Sequence, residues 1–147
     1  MNLPDWVEPV ARYMLEVGLR STLRMAGFAL LGSTVIGVVL GTLLTIRFRP
    51  TQALIRLYIE VWRGLPLLVS VFIIFFAAPA LAGQFEFDAF TAATIALILW
   101  GSAQVAEATR GAVASIPREQ HEAAAALGFG WVGRHAFVIL PQALRRL

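Results

Sequence analysis

The chain has 147 residues, of which 59% are hydrophobic and only 14% are charged, about half the charged share of an ordinary soluble domain. This composition predicts a single membrane-embedded domain that depends on partners. All 12 basic residues are arginine and cysteine is absent, which excludes within this sequence a P-loop lysine, a disulfide, a thiolate zinc site and a thiol nucleophile. Any ATP that drives the protein would therefore be bound by another chain.

Residues 1–24 are predicted to form an amphipathic helix. Trp6, Val10, Tyr13 and Val17 recur at roughly helical spacing among acidic and basic residues whose charges cancel. Such a helix lies on a membrane surface, with Trp6 and Tyr13 at the level of the headgroups. The next apolar run is too long, and is followed by arginine rather than by a small-residue cleavage site, for this to be a signal peptide.

The uncharged run of residues 25–46 is the predicted first span. At about 1.5 Å per residue it covers roughly the 30 Å of a hydrocarbon core. Gly37 and Gly41 are four residues apart, a spacing that lets two helices approach closely in lipid. Two interpretations stay open, since glycine is also common in membrane helices without any such role.

Residues 57–78 are the predicted second span, and Pro66 interrupts it near its beginning. Because proline lacks a backbone donor and its ring opposes the preceding helical turn, a kink or a restart is expected there. The third span begins near Phe90 and is uncharged as far as Ala106. Residues 25–113 thus hold three predicted transmembrane helices.

The distribution of arginine predicts the orientation. The loop after the first span contains Arg47, Arg49 and Arg56, the segment after the third span is also basic, and the loop after the second span is acidic. By the positive-inside rule, the first loop and residues 114–147 are cytoplasmic. Residues 1–24 and the acidic loop are then on the periplasmic side.

Residues 118–128 are predicted to form a short helix outside the bilayer. Glu119 offsets the helix dipole near its beginning, the alanines of 123–126 are strong helix formers, and Gly128 can adopt the left-handed conformation that ends a helix. A second amphipathic run follows and is predicted to stop at Pro141. Two interpretations fit: a helix-turn-helix resting on the headgroups, or a docking element whose small side chains let another protein come close.

The same stretch contains residues at a fixed spacing: Glu122, Ala123, Ala124, Gly128, Val138, Leu140 and Pro141. This pattern resembles the EAA loop of ABC-importer membrane subunits, with Val138 at a position where the family has isoleucine. Residues 60–68 and 107–117 are similar to the polar-amino-acid permease branch, which takes up histidine, glutamine, arginine and opines. The resemblance covers nearly the whole chain from about Val17 onward.

The resemblance implies an all-α membrane protein of MetI-like type I importer architecture, with three transmembrane helices and a cytoplasmic coupling helix. The family usually continues for two more spans, so we expect a fragment of a longer permease, the alternative being helices supplied by another polypeptide. The implied function is that of a permease subunit of a binding-protein-dependent importer for polar amino acids in the bacterial inner membrane. In such a system ATP hydrolysis belongs to a separate subunit.

The implied partners are a cytoplasmic ABC ATPase dimer, a second permease subunit, a periplasmic substrate-binding protein and the lipid bilayer. No nucleic acid, cofactor or metal is expected. In the family the EAA loop couples closure of the ATPase dimer to translocation. Carried over, Glu122, Ala123 and Ala124 lie on the docking face, and Gly128 makes the turn that shapes it.

Four charged residues near the predicted cytoplasmic ends of the second and third spans are candidates for a gate or substrate path: Glu60, Arg63, Glu107 and Arg110. Charge at a membrane helix is functional by default when it faces the bundle interior. An amino acid carries both a carboxylate and an ammonium group, which opposite charges around a broken helix would suit. The alternative is that an interhelical pair, Glu60 with Arg110 or Arg63 with Glu107, only pins the helices.

Two other classes of function remain in view, a half of a secondary transporter and a non-transporting membrane scaffold. Neither needs the EAA spacing, and a scaffold needs no broken span. His121 and His135 are predicted to be solvated loop residues, because no spaced partner ligands accompany them. No Ser-His-Asp arrangement is expected among the spans.

Overall fold

The computed structural model describes residue 4 and residues 6–46, 48–83 and 87–146, in which every regular element is a helix. In chain order these are α1, formed by Val7–Tyr13, the π-helical turn Met14–Gly18 and Leu19–Leu43; α2, Arg49–Gly64; α3, formed by Leu67–Phe72, the π-helical turn Ile73–Ala77 and Ala78–Ala82; α4, Ala89–Ala114; α5, Arg118–Ala126; and α6, formed by Trp131–Gly133, the π-helical turn Arg134–Ile139 and Leu140–Leu144. The predicted all-α class is confirmed.

Two of these helices are long and apolar enough to cross a membrane: α1, with 37 residues, and α4, with 26. Helices α2 and α3 together pass the same test as a third span, but they meet at an angle of 108°. The described residues therefore contain two long apolar helices and one sharply broken pair, which makes three spans only if the pair crosses the membrane as one.

Helix α1 runs without interruption through the predicted boundary at residue 24, so the expectation of a separate helix before the first span is wrong. No proline occurs between Pro9 and Pro50, and nothing else in the sequence stops the helix. At about 1.5 Å per residue such a helix is roughly 55 Å long, well beyond the hydrocarbon core. That its first turns lie on a membrane surface stays a prediction.

Helices α1 and α4 lie side by side and parallel along a seam of small residues. A Cβ added at Gly37 would lie 2.8 Å from the carbonyl oxygen of Ser102, and one added at Gly41 would collide with the carbonyl oxygen of Ala106. Both glycines are buried. The interpretation that they permit close helix packing is confirmed.

Helix α2 begins at Arg49, ahead of the predicted span, and packs across the end of the α1–α4 pair. Its apolar stripe buries Ile55 and Ile59 against Leu44, directly after α1, and against alanines of α4. The backbone then becomes extended at Leu65 (ψ 133°) and at Pro66 (ψ 136°), where α2 ends and α3 restarts. The predicted break at the proline is confirmed.

Two prolines, Pro79 and Pro141, lie beyond the first turn of their helices, and each follows a π-helical turn. Pro79 in α3 and Pro141 in α6 oppose the carbonyls of Phe75 and Phe137, which fall within those turns. The wider turn makes room for a ring that would otherwise clash with the carbonyl four residues earlier. The prediction that the second amphipathic run stops at Pro141 is therefore wrong, since α6 continues to Leu144.

Candidate functional site

Helix α5 presents one side of the EAA pattern to the outside. Glu122 and Ala123 are exposed, whereas Ala124 is 2% exposed. Residues two apart on an α-helix point roughly 200° away from each other, so Glu122 and Ala124 cannot share a face. The prediction that all three lie on a docking face is wrong for Ala124, which is on the side where α5 packs on α6.

The turn after α5 is a Schellman motif. The N–H of Gly128 donates to the carbonyl of Ala125 at 2.9 Å, and the N–H of Phe129 donates to the carbonyl of Ala124 at 3.1 Å. Gly128 has a φ of 83°, and a Cβ added there would meet nothing within 4 Å. The predicted left-handed cap is confirmed, and glycine is needed for its conformation alone.

Polar side chains on α5 add little to its attachment. Arg118 pairs with Glu122 at 2.8 Å along the exposed side, a pair worth a few tenths of a kcal/mol. Gln142 of α6 donates to the side-chain oxygen of Gln120 at 3.1 Å. The position of α5 therefore depends mainly on its turn and on the helix that follows.

Helix α6 is anchored by a stripe of buried residues at four-residue spacing. His135, Ile139 and Ala143 are each no more than 5% exposed. Ile139 and Ala143 pack on Val113 near the end of α4 and on Ile116 beyond it. Because α6 also packs on α5, this stripe connects α5 to the long helix α4.

The last part of the EAA pattern belongs mostly to this anchor. Val138 and Leu140 are half-buried and pack against the cluster of α4 and α6. Pro141 is exposed. In this geometry Val138 and Leu140 position the loop, and any docking through them would be indirect.

His135 connects α6 to the end of α1. Its Nδ1 donates to the carbonyl of Trp131 at 2.9 Å, its Nε2 lies 3.1 Å from the hydroxyl of Thr45, and its ring stacks on Trp131 at 4.2 Å. The prediction of a solvated loop residue is wrong for His135, which is 5% exposed. The His121 ring is 6.1 Å away, and its pKa is lowered by burial and by the nearby charges of His135 and Arg134.

The four candidate gate residues line one cleft. Glu60 and Arg63 from α2 and Glu107 and Arg110 from α4 surround a space of about 320 Å³, with Arg56 at its edge. Opposite charges are thus brought together where the broken span meets α4.

The charge pairing in this cleft differs from both predicted pairs. Arg110 Nε donates to Glu107 Oε1 at 3.1 Å within α4, and in the described part of the chain neither Glu60 nor Arg63 forms an ion pair. Residues three apart on a helix are surface neighbours, so Glu107 and Arg110 satisfy each other locally. The prediction that an interhelical ion pair, Glu60 with Arg110 or Arg63 with Glu107, pins the spans is therefore wrong.

Most of the chain matches a known protein family. Residues 33–147 match the family described as "Binding-protein-dependent transport system inner membrane component". The chain belongs to that family.

Individual relatives narrow the branch of the family. The chain is 37% identical over 145 residues to the glutamine transport system permease protein GlnP of Escherichia coli (strain K12), a match that covers 97% of the chain and 66% of the relative. It is 34% identical over 139 residues to the arginine transport system permease protein ArtQ of Bacillus subtilis (strain 168), covering 95% and 63%. A solved structure described as "Crystal structure of an amino acid ABC transporter with histidines" superposes with a TM-score of 0.76 at 28% identity, covering 99% of the chain and 67% of that structure.

The chain spans 66% of the length of the glutamine permease that it matches. Its helical architecture is similar to that of the amino acid ABC transporter structure.

Sequence reasoning missed the residues that hold the family's loop in place. Thr45, His135, Ile139 and Ala143 were not predicted to have this role, yet all but Thr45 share one face of α6 at spacings of four. That periodicity was a usable signal of a buried helix face. Treating Pro141 as a stop cut the stripe in two and concealed it.

Proposed function

We propose that this chain is the membrane-spanning part of a permease that imports polar amino acids in a binding-protein-dependent ABC system. The observation that carries the proposal is the exposed side of α5, ended by a Schellman glycine and buttressed by α6, in a chain of this family. The relatives named as glutamine and arginine permeases support polar amino acids as the substrate class.

The surface around α5 supports docking of a cytoplasmic ABC ATPase dimer. Beside exposed Glu122 and Ala123 lie large exposed apolar side chains: Leu127 is 78% exposed, Val132 72% and Phe137 73%. Exposed apolar side chains grouped this closely along the chain are typical of interaction sites. Glu122, Ala123 and Leu127 are the residues that we propose contact the ATPase, with Gly128 shaping the turn.

Coupling then follows from how α6 is held. A displacement of α5 by the ATPase is passed to α6, and from α6 to α4 through Ile139 and Val113 and to α1 through His135 and Thr45. Because closely packed interfaces switch between discrete arrangements rather than deform smoothly, such contacts can transmit the motion. Val138, Leu140 and Pro141 act in this link by position.

The topology supports an inner-membrane location with α5 in the cytoplasm. Helices α1 and α4 run parallel, so α2 begins and α5 lies on the same side of the membrane. That side carries the basic segments, which the positive-inside rule places in the cytoplasm. The amino-terminal segment 1–24 is then periplasmic.

The charged cleft supports a role for Glu60, Arg63, Glu107 and Arg110 in the gate or substrate path. Glu60 and Arg63 offer both signs of charge without an ion-pair partner in the described chain, which suits a zwitterion. The remaining partners are a second permease subunit, identical or different, and a periplasmic substrate-binding protein, with ATP hydrolysis on the separate ATPase.

Co-expression with the cognate ATPase tests the proposal. Ala123→Arg adds a long charged side chain to the docking face and should abolish co-purification of the ATPase and amino acid uptake. Ala11→Arg makes the same change at an exposed site in the first turns of α1 and should leave both unchanged. Full assembly and uptake with Ala123→Arg would contradict the docking role of α5.

A further inference from the structure

We propose that the chain binds a phosphate-bearing anion in a basic cavity between the ends of the spanning helices and the α5–α6 segment. The cavity has a volume of about 730 Å³ and is lined from the end of α1, from α2, α4, α5 and α6. That volume lies in the range of about 300–1,000 Å³ usual for small-ligand sites.

The ionisable side chains that line this cavity are all basic. Arg56 of α2, Arg110 of α4 and Arg134 of α6 line it with the imidazoles of His121 and His135, and no aspartate or glutamate is among its described lining residues. Like charges held together in a partly enclosed space repel one another strongly. An anion between them would remove that repulsion.

Two of the three arginines form no ion pair in the described part of the chain. Arg110 is paired with Glu107, whereas Arg56 and Arg134 form no ion pair with any described residue. The Nε of Arg134 is also buried and has no hydrogen-bond partner within the described part of the chain. A buried donor without an acceptor is costly, so the described part of the chain leaves Arg134 unsatisfied.

Phosphate is the chemistry that fits. The guanidinium fork matches two phosphate oxygens at once. A free amino acid would also need a carboxylate for its ammonium group, which this cavity lacks and the neighbouring cleft with Glu60 and Glu107 provides. Two sources supply phosphate, an anionic phospholipid headgroup and a soluble phosphate, and the position at the ends of the spans favours the headgroup.

A bound headgroup would bridge α2, α4 and α6, and so hold the α5–α6 segment against the spans. Anion binding here depends only on the cavity and its arginines. Its test is therefore independent of the proposed import function.

Lipid titration of the purified chain in detergent tests the site. Phosphatidylglycerol, phosphatidylcholine and inorganic phosphate are added separately, bound lipid is counted by native mass spectrometry, and thermal unfolding is followed by circular dichroism. Phosphatidylglycerol should bind and raise the unfolding temperature. Arg134→Gln should weaken its binding about tenfold, the size of one charge-assisted hydrogen bond, and Arg134→Lys should weaken it less.

The control is Arg145→Gln, which removes an exposed arginine outside the cavity lining and should leave binding unchanged. Arg56→Gln changes an exposed side chain and carries the test if Arg134→Gln does not fold. If inorganic phosphate binds, and its binding depends on Arg56 and Arg134, the site is supported and its ligand is a soluble phosphate. Equal binding of both lipids, an equal loss with Arg145→Gln, or no dependence on Arg56 and Arg134 would overturn the proposal.

Discussion

Gly41 in the α1–α4 seam and Gly128 after α5 both exclude other residues, but for opposite reasons. At Gly41 the backbone is an ordinary helix, and the space for a side chain is already filled by α4. At Gly128 the space is open, and the backbone has a φ of 83° that side chains disfavour. The same residue therefore serves close packing in the spans and a change of chain direction in the loop.

The α1–α4 seam and the α5–α6 segment differ as their glycines do, one in tight packing and the other in an open turn. The seam joins two long helices through small buried residues and excludes any added volume. The α5–α6 segment leaves large apolar side chains exposed and depends on a turn and a narrow buried stripe. A tightly packed region thus adjoins one that is open to a partner, and four tests can break or sharpen this contrast.

The largest effect is expected in the seam. Gly41→Ala places a methyl group against the carbonyl of Ala106, which cannot rotate away, and should lower the free energy of unfolding by about 1–3 kcal/mol. Gly27→Ala is the control, because a Cβ there meets nothing within 4 Å, and the change should be neutral or stabilising by up to about 1 kcal/mol. Denaturation in detergent micelles measures both, and similar effects at the two positions would disprove a tight seam.

A smaller effect is expected at the turn. Gly128→Ala should cost about 1–2 kcal/mol, because an L-residue is strained in the left-handed region. Gly130→Ala is the control, since its φ is −66° and the added Cβ has open space. Hydrogen exchange of the backbone amides of residues 128 and 129 measures how well the two Schellman hydrogen bonds are kept. Unchanged protection of these amides in Gly128→Ala would show that the turn tolerates a side chain.

A buried hydroxyl in the seam offers a test with the opposite sign. Thr109 is fully buried and its Oγ1 has no partner in the described chain, so Thr109→Val should be neutral or stabilise by about 1 kcal/mol. Thr42 donates to the carbonyl of Val38 at 2.7 Å, and Thr42→Val should instead destabilise by roughly 0.5–1.5 kcal/mol. Thermal unfolding compares the pair, and a clear loss with Thr109→Val would mean that its hydroxyl has a partner.

The smallest effect is a pH dependence of the α5–α6 segment. The pKa of His121 is lowered by burial, so the unfolded chain binds more protons at this residue than the folded one once the pH falls below about 6.5. Stability should therefore decrease on acidification through that range and be restored at higher pH. His121→Asn should flatten the dependence between about pH 7.5 and pH 5.5, and an identical slope in both proteins would exclude His121 as its source.

Local patterns in the sequence were sufficient for much of the molecule. The spans follow from uncharged runs, the break from Pro66, and the left-handed cap from Gly128. Each of these depends on neighbours within a few residues along the chain. For that reason they could be predicted without coordinates, and so could the family.

Tertiary contacts decided what local patterns leave open. A π-helical turn carries α6 past Pro141, which lets His135, Ile139 and Ala143 form one buried stripe. The helical period, once α6 packs on α5, turns Ala124 inward and leaves Glu122 and Ala123 outside. Glu107 pairs with Arg110 on its own helix, because a side chain one helical turn away is closer than one on another helix.

Composition by itself determined that this is a helical membrane protein, because hydropathy acts over short stretches of chain, and the resemblance to the EAA loop pattern indicated the family. Only the tertiary structure decided which face of that loop is open, what holds it to α1 and α4, and where unpaired arginines gather. These depend on residues such as Thr45 and His135 or Arg56 and Arg134, which are far apart in the chain and meet only after the helices pack.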